Sequence, residues 1–351
     1  MRLPKGESNA LKSPMSIFRT RNCRILCSGE AGFIRDCLLK CGLMLSLNGT
    51  RILVSGSSGL VGSALVPSLK SAGARVERLV RAGSLPGSTD EERIQWDPSQ
   101  PISPDVVSGF DAVIHLAGES VLGRWTEKKK ARIRNSRIPA TSNLARALAQ
   151  AKAKPHAFLS ASAIGYYGDR GDEILREESP FGTGFAADLA RDWEDATKPA
   201  VSAGIRTAQM RIGVILAKAG GALTQMLPPF KLGLGGRVGS GKQWMSWIDL
   251  QDIVGAIQHI VGTDSVSGPV NLVAPKPVQN FEFSETLAST LHRPALFPAP
   301  AFAMRLAFGD MADELLLASQ RVEPKRLLSS GYQFRFSEVR ASLQHILQKS
   351  A

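Results

Sequence analysis

Residues 51–62 read Arg51-Ile52-Leu53-Val54-Ser55-Gly56-Ser57-Ser58-Gly59-Leu60-Val61-Gly62. The first five are a short run of the kind that makes a buried strand, and the run stops at a glycine. Val61, Ala64, Leu65 and Leu69 then recur at helical spacing. Strand, glycine turn and helix in that order predict a nucleotide site at the turn. Gly56 permits the tight turn, Gly59 lets a pyrophosphate approach the backbone, and Gly62 lets the helix lie close to the sheet. The helix N-terminus adds unpaired N–H groups and partial positive charge. The candidate contacts here are Gly56, Ser58, Gly59, Leu60, Val61 and Gly62. Pro67 falls inside the helical pattern, where it is expected to kink or loosen a turn.

Outward from this turn, apolar runs alternate with amphipathic helical patterns. Residues 75–80, 111–116, 157–162 and 206–216 read as further strands, and 126–150 as one long helix with basic exposure. Such alternation predicts an α/β fold, a doubly wound parallel sheet covered on both faces. Seven glycines fall between Gly220 and Gly241, which reads as a binding loop or lid. Residues 280–351 read as helix, a turn rich in proline (Pro294, Pro298, Pro300), helix and short strand. The expected organisation is a basic extension over 1–49, a nucleotide-binding core over 50–217, and a smaller α+β substrate-binding region over 218–351 that shares part of the sheet.

Composition narrows the function class. The chain has 351 residues, 43% apolar and 21% charged, which argues against a mainly disordered protein. The net charge of +12 is unevenly spread, with eight Lys/Arg against three Asp/Glu in residues 1–49. The remaining residues hold 35 against 28, so no nucleic-acid partner is expected, and Lys128-Lys129-Lys130 reads as a solvated helix face. No run of 18 apolar residues is present, so no membrane span is expected. Cys23, Cys27, Cys37 and Cys41 all fall in the extension. Their spacing admits a metal or cluster site, but Ile25, Leu26, Leu38 and Leu39 between them look like element interior, so no metal is expected. The cysteine-free body suits a reducing compartment and a cytoplasmic location. The alternative is an organelle, with residues 1–49 as a transit peptide; a further option is that the working chain starts at Met44.

The Gly-x-x-Gly-x-x-Gly spacing at 56–62 resembles that of the extended short-chain dehydrogenase/reductases, NAD(P)-dependent enzymes with a Rossmann fold. The resemblance implies that the tip of the second strand selects the cofactor. An acid there would bond a ribose 2′-hydroxyl, and an arginine would pair with a 2′-phosphate. Here the strand ends Leu79-Val80-Arg81, with Glu77 inside it. Val80 and Arg81 are therefore candidate contacts, and NADP(H) is the expected cofactor. Leu116-Ala117-Gly118 resembles the turn that passes beneath the nicotinamide ribose. The run from Ser160 to Gly168 resembles the segment with the family's catalytic serine. Ser162 is the best match, and Ser160 is a candidate cofactor contact. The family's Tyr-x-x-x-Lys pair, in which the lysine makes the phenol more acidic, is missing. Phe185 and Leu189 stand near those two positions. Proton transfer is then expected through Ser162 and a tyrosine of the 166–167 pair, with Tyr166 the catalytic candidate. Arg137 or Arg211 would lend positive charge, and Asp188 or Glu194 come next.

Further segments resemble a narrower epimerase/dehydratase-like subfamily labelled a cell-division inhibitor, with its C-terminal DUF1731-type segment. They include His115-Leu116-Ala117-Gly118-Glu119, Gly123-Arg124-Trp125, Asn135-Ser136-Arg137, Asp192-Trp193-Glu194, Trp247-Ile248-Asp249 and Gln320-Arg321-Val322-Glu323-Pro324. That subfamily also lacks the Tyr–Lys pair, and Arg137 matches an arginine that meets its cofactor. The resemblance implies an NADP-dependent oxidoreductase or epimerase acting on a small molecule, sugar-like or a nucleotide-sugar. The alternative is an NADP(H)-binding regulatory or sensor protein with little or no turnover. Arg237 and Lys242 in the glycine-rich stretch are candidates to hold an anionic substrate group, and Trp244 and Trp247 to stack on a sugar ring, although core packing is the more ordinary role for them. An oligomer is left open.

Overall fold

The computed structural model describes residues 18–20, 23–25, 47–81 and 93–348. The chain divides into two units, residues 1–45 and 46–351. In the first, Phe18–Thr20 and Cys23–Ile25 pair antiparallel with Thr20 opposite Cys23. Cys27, Cys37 and Cys41, and most of the extension, lie outside the described residues.

The second unit is built on seven strands. They are β1 (Arg51–Ser55), β2 (Arg75–Val80), β3 (Arg93–Gln95), β4 (Ala112–His115), β5 (Ala157–Ala163), β6 (Arg206–Ile212) and β7 (Gly268–Leu272). Their spatial order is 3-2-1-4-5-6-7, and every pairing is parallel. The order reverses between β1 and β4. In open sheets of this kind, ligands lodge at that reversal, beyond the carboxyl ends of the strands. The α/β, doubly wound Rossmann architecture expected from the sequence is the one observed.

The central strands carry uninterrupted apolar runs, Ile52–Val54 in β1 and Ala112–Ile114 in β4, because both sheet faces are covered there. Ile52 and Val54 pack with Leu65 and Leu69 of α1 (Leu60–Ser71) and with Ile253 and Ile257 further along the chain. Leu53, pointing the other way, packs with Val113, Phe158, Leu144 and Leu148. Helix α1 runs on through Pro67, which lies on its exposed side.

The expected long helix over 126–150 is two helices, α2 (Glu127–Asn135) and α3 (Ile138–Gln150). Pro139 lies in the first turn of α3; it has no N–H to donate and its ring crowds the carbonyl four residues back, at Asn135, so α2 ends there and the helix restarts. The expected strand over 206–216 also breaks. After β6, Gly213 comes so close to Ser246 that a Cβ there would sit 2.6 Å from its carbonyl oxygen. Val214–Leu216 then leaves the sheet to pair with Trp247–Asp249. Helix α4 (Phe185–Asp195) follows the β5 loop.

Candidate functional site

The glycine turn is a cradle made of backbone. Gly56 has φ 70°, and a Cβ there would meet Leu116 C at 2.6 Å and Ala117 N at 2.7 Å. A Cβ on Gly62 would sit 2.2 Å from Gly56 O. Both positions therefore exclude any side chain. Gly59 is the N-cap of α1, which has neither a side-chain cap nor an acidic residue in its first turn. Ser58 and Gly59 are exposed, Leu60 half-buried and Val61 buried. These residues fit a dinucleotide: a Cβ on Gly59 would meet only Gly56 O, at 3.3 Å, so the backbone there is open to a phosphate, and the helix end offers N–H groups and positive potential. Across the strand order reversal, Leu116 and Ala117 are half-buried and Gly118 is exposed.

Below the cradle, Ser55 Oγ and His115 Nδ1 lie 2.6 Å apart and fully buried. His115 Nε2 has no hydrogen-bond partner among the described residues. Burial, aided by the nearby Arg137 charge, pushes this imidazole down to about 4, so it is neutral at physiological pH. Ser160 is opposite His115 on β5, equally buried, with its hydroxyl on Ala161 O at 3.3 Å.

At the β2 tip, Val80 is half-buried and Arg81 exposed. Arg81 shares a surface cleft with Gln95, Trp96, Asp97 and Pro98. Asp97 is an acid that the β2 tip by itself does not reveal, because it arrives from the end of β3. Arg137 is buried beside Gly118: a Cβ on Gly118 would sit 3.1 Å from its Cζ. Its Nη1 and Nη2 donate to Ile133 O (3.1 Å) and Glu119 O (2.9 Å), and its guanidinium lies 4.9 Å from the Trp193 ring centroid. Burial lowers it to about 10, so it keeps its charge at neutral pH.

Ser162, near the end of β5, lies opposite Arg211 on β6. Its hydroxyl donates to Glu194 Oε1 at 2.7 Å. Arg211 Nε and Nη2 grip the same carboxylate at 2.7 and 2.8 Å. The Arg211 side chain is 2% exposed. Burial works against its charge, but Glu194 outweighs that and raises the guanidinium above its ordinary value. Arg211 Nη1 also donates to Tyr167 Oη (2.9 Å), which donates onward to Asn271 Oδ1 (2.7 Å). Tyr167 is fully buried, and desolvation pushes its phenol up to about 12. Its proton is committed within the core.

Tyr166 differs. It is half-buried, its ring centroid is 3.5 Å from the Arg211 guanidinium carbon, and its hydroxyl has no hydrogen bond among the described residues. Ser162, Tyr166, Glu194 and Arg211 thus form one cluster. Asp188 stands apart, exposed and paired with Arg191 at 3.1 Å. Phe185 and Leu189 belong to an apolar cluster with Trp125, Met311, Leu315 and Leu316, where no proton can be handled.

Residues 52–272 match the model of the NAD dependent epimerase/dehydratase family. The chain belongs to that family. Residues 299–346 of this family member match a domain of unknown function, DUF1731. An epimerase family protein of Mycobacterium bovis is 42% identical over 294 residues, which span 83% of this chain and 96% of that protein. A crystal structure of human epimerase family protein SDR39U1 (isoform 2) with NADPH superposes with a TM-score of 0.77 at 35% identity, covering 85% of this chain and 99% of that one. A nucleoside-diphosphate sugar epimerase from Corynebacterium glutamicum gives 0.72 at 36% identity, covering 90% and 62%.

Trp247 is fully buried in the core, the more ordinary of its two expected roles, so it does not stack on a sugar. Trp244 is half-buried, with the Arg321 guanidinium 4.4 Å from its ring centroid and its Nε1 on Asp172 Oδ1 at 2.7 Å. Sequence reading missed Asn271 and Glu177 beneath Arg211. Glu177 is buried, its carbonyl oxygen accepts from Arg211 Nη1 at 3.2 Å, and desolvation raises its carboxyl. No sequence signal marks these two, because their role comes from neighbouring strands.

No helix among the described residues is long and apolar enough to cross a membrane, and among them no group of His, Cys, Asp and Glu could hold a metal ion.

Proposed function

We propose that this chain binds NADP(H) and acts as an oxidoreductase or epimerase on a sugar-like or nucleotide-sugar substrate. The carrying observation is the backbone cradle of Gly56, Gly59 and Gly62 at the strand-order reversal, too tight for a side chain at Gly56 and Gly62 and open at the α1 N-terminus. NADPH in the human relative's structure supports the cofactor, and the Corynebacterium relative, a nucleoside-diphosphate sugar epimerase, supports the substrate class. Gly56, Ser58, Gly59, Leu60, Val61 and Gly62 would hold the pyrophosphate. Val80 and Arg81 would hold the adenosine end, and Leu116, Ala117, Gly118 and Arg137 the nicotinamide half. Ser160 would act from beneath.

A bound nicotinamide supplies or takes a hydride. The proton is the protein's task. The Ser162 hydrogen points to Glu194, so its oxygen lone pairs are available to accept from a substrate hydroxyl. The free Tyr166 hydroxyl is the group that can give a proton to a substrate oxygen or take one, with the Arg211 cation against its ring. The apolar seating of Phe185 and Leu189 favours a second reading, an NADP(H)-binding sensor without turnover. The cysteine-free body fits a reducing, cytoplasmic setting.

The test has two parts. Binding of NADPH and NADH is measured on the wild type and on Arg81→Ala, which should lose about 1–3 kcal/mol for NADPH alone, the scale of a charge-assisted contact. Turnover is then followed by NADPH absorbance and, because epimerisation leaves the cofactor unchanged overall, by NMR of the sugar itself, with a panel of nucleotide-sugars and simple carbonyl compounds, using Ser162→Ala and Tyr166→Phe. Both variants should bind NADPH normally and lose turnover. A protein that binds neither dinucleotide refutes the reading. Tight NADPH binding with silence on the whole panel selects the sensor.

A further inference from the structure

The C-terminal segment of unknown function grips two separate stretches. One follows β4. Trp125 N donates to Phe308 O at 3.0 Å, Arg124 Nη1 donates to Leu306 O, and Lys130 pairs with Asp310. Gly309, at φ 62°, lies so close that a Cβ there would sit 3.1 Å from Trp125 O.

The other stretch is the start of α4. Its N-cap is Gly184, which has no side chain to satisfy the first N–H groups. Glu314 supplies that cap from a distant part of the chain: Oε1 accepts from Phe185 N at 3.1 Å and Oε2 from Ala186 N at 2.5 Å. Glu314 projects from a π-helical turn, Ala312–Leu316. A Cβ on Gly184 would sit 3.1 Å from Glu314 Oε2, so the missing side chain is what lets the carboxylate in. Between the two stretches, Phe185 and Leu189 share one apolar cluster with Trp125, Met311, Leu315 and Leu316.

We propose that residues 306–316, within the segment that matches DUF1731, form a clamp seated on the α4 face where related reductases carry Tyr and Lys, and that Glu314 is its positioning residue. A carboxylate at a helix N-terminus bonds the free N–H groups and complements the helix dipole. Helix α4 begins at this cap and carries Glu194 in its last turn, where Glu194 Oε1 holds Ser162. The domain of unknown function thus fixes the position of Ser162 without touching the reacting atoms. It also accounts for the loss of the Tyr–Lys pair, because a hydroxyl and an ammonium would be unpaired in this apolar seat. The catalytic consequence rests on the reading of Ser162 given above, whereas the clamp itself does not.

Hydrogen exchange by mass spectrometry on the full chain tests this with wild type, Glu314→Ala and Glu314→Gln. Glu314→Ala should raise exchange about tenfold, the scale of a lost cap, in peptides covering 119–126 and 185–190, leaving β1, β4 and β5 unchanged. Glu314→Gln, which keeps the shape and one acceptor, should rise less. Unchanged exchange in both stretches, a rise confined to 306–316, or an equal rise across the sheet overturns the clamp. Failure of the wild type to bind NADPH would refute the cofactor reading while leaving this exchange result to stand alone.

Discussion

Removing the Glu194 carboxylate strands a guanidinium in the protein interior. The Arg211 side chain is 2% exposed and Glu194 11% exposed, so water reaches neither freely. In Glu194→Ala, Arg211 Nε and Nη2 lose their acceptors, while Nη1 keeps Tyr167 Oη and Glu177 O. Breaking a buried pair from one side typically costs about 3–5 kcal/mol, because the remaining charge stays desolvated. The two surviving acceptors place this case near the lower end, about 3 kcal/mol. Arg211→Met should cost a similar amount, since Glu194 is left with only Ser162. The double variant Glu194→Leu/Arg211→Met removes both charges and should be more stable than the two single losses added together, with a coupling of about 2 kcal/mol. Urea unfolding of the four proteins measures all three quantities, provided the slope is unchanged. Against a total stability of about 5–15 kcal/mol the single losses are plainly visible. Single losses below about 1 kcal/mol, or strict additivity, would show that the pair is solvated and does not hold Ser162 in place.

Two further outcomes are expected. Gly62→Ala places a Cβ 2.2 Å from Gly56 O and 2.7 Å from Ser57 Cα, so the turn must open. It should destabilise the fold by about 1–3 kcal/mol and weaken NADPH at least roughly tenfold by calorimetry; unchanged affinity would mean the cradle does not bind the cofactor. His115 is held down to about 4 from 6.5 by burial and then by Arg137, so between those values the unfolded chain binds more protons than the folded one. Stability from this group is therefore full above pH 6.5 and is lost as pH falls toward 4, by about 3 kcal/mol in the limit. His115→Asn should flatten the stability–pH curve over that window, and parallel curves for the two proteins would contradict a buried neutral imidazole.

The residues from Arg51 to Leu69 by themselves determine the β1–turn–α1 unit. An apolar run, glycines at 56, 59 and 62, and apolar residues at helical spacing are local properties of the chain. Strands β2, β4, β5 and β6 are legible for the same reason, and with them the parallel sheet; the edge strands are not, because β3 is only three residues long and β7 opens Gly268-Pro269. Local pattern fails where two distant segments meet. The break at Ser136–Arg137 follows from Pro139 in the next turn, yet basic periodicity runs straight across it. The division of the expected 206–216 strand is imposed by Ser246 lying against Gly213.

The site divides along the same line. Ser162 and Tyr166 are legible as a motif at a strand end. Which of the two tyrosines is available is decided by Asn271 and Arg211, which reach Tyr167 from neighbouring strands and leave the Tyr166 hydroxyl free. The sequence offers Arg211 as a source of positive charge and Glu194 as a reserve proton carrier, but nothing in it pairs the two, which are 17 residues apart. They become a buried pair because β6 lies beside β5 with Arg211 opposite Ser162, and because α4 returns Glu194 over that point. Periodicity along the chain determines which elements form. Burial, charge pairing and the capping of α4 by Glu314 depend on through-space packing, and only the tertiary structure decides them.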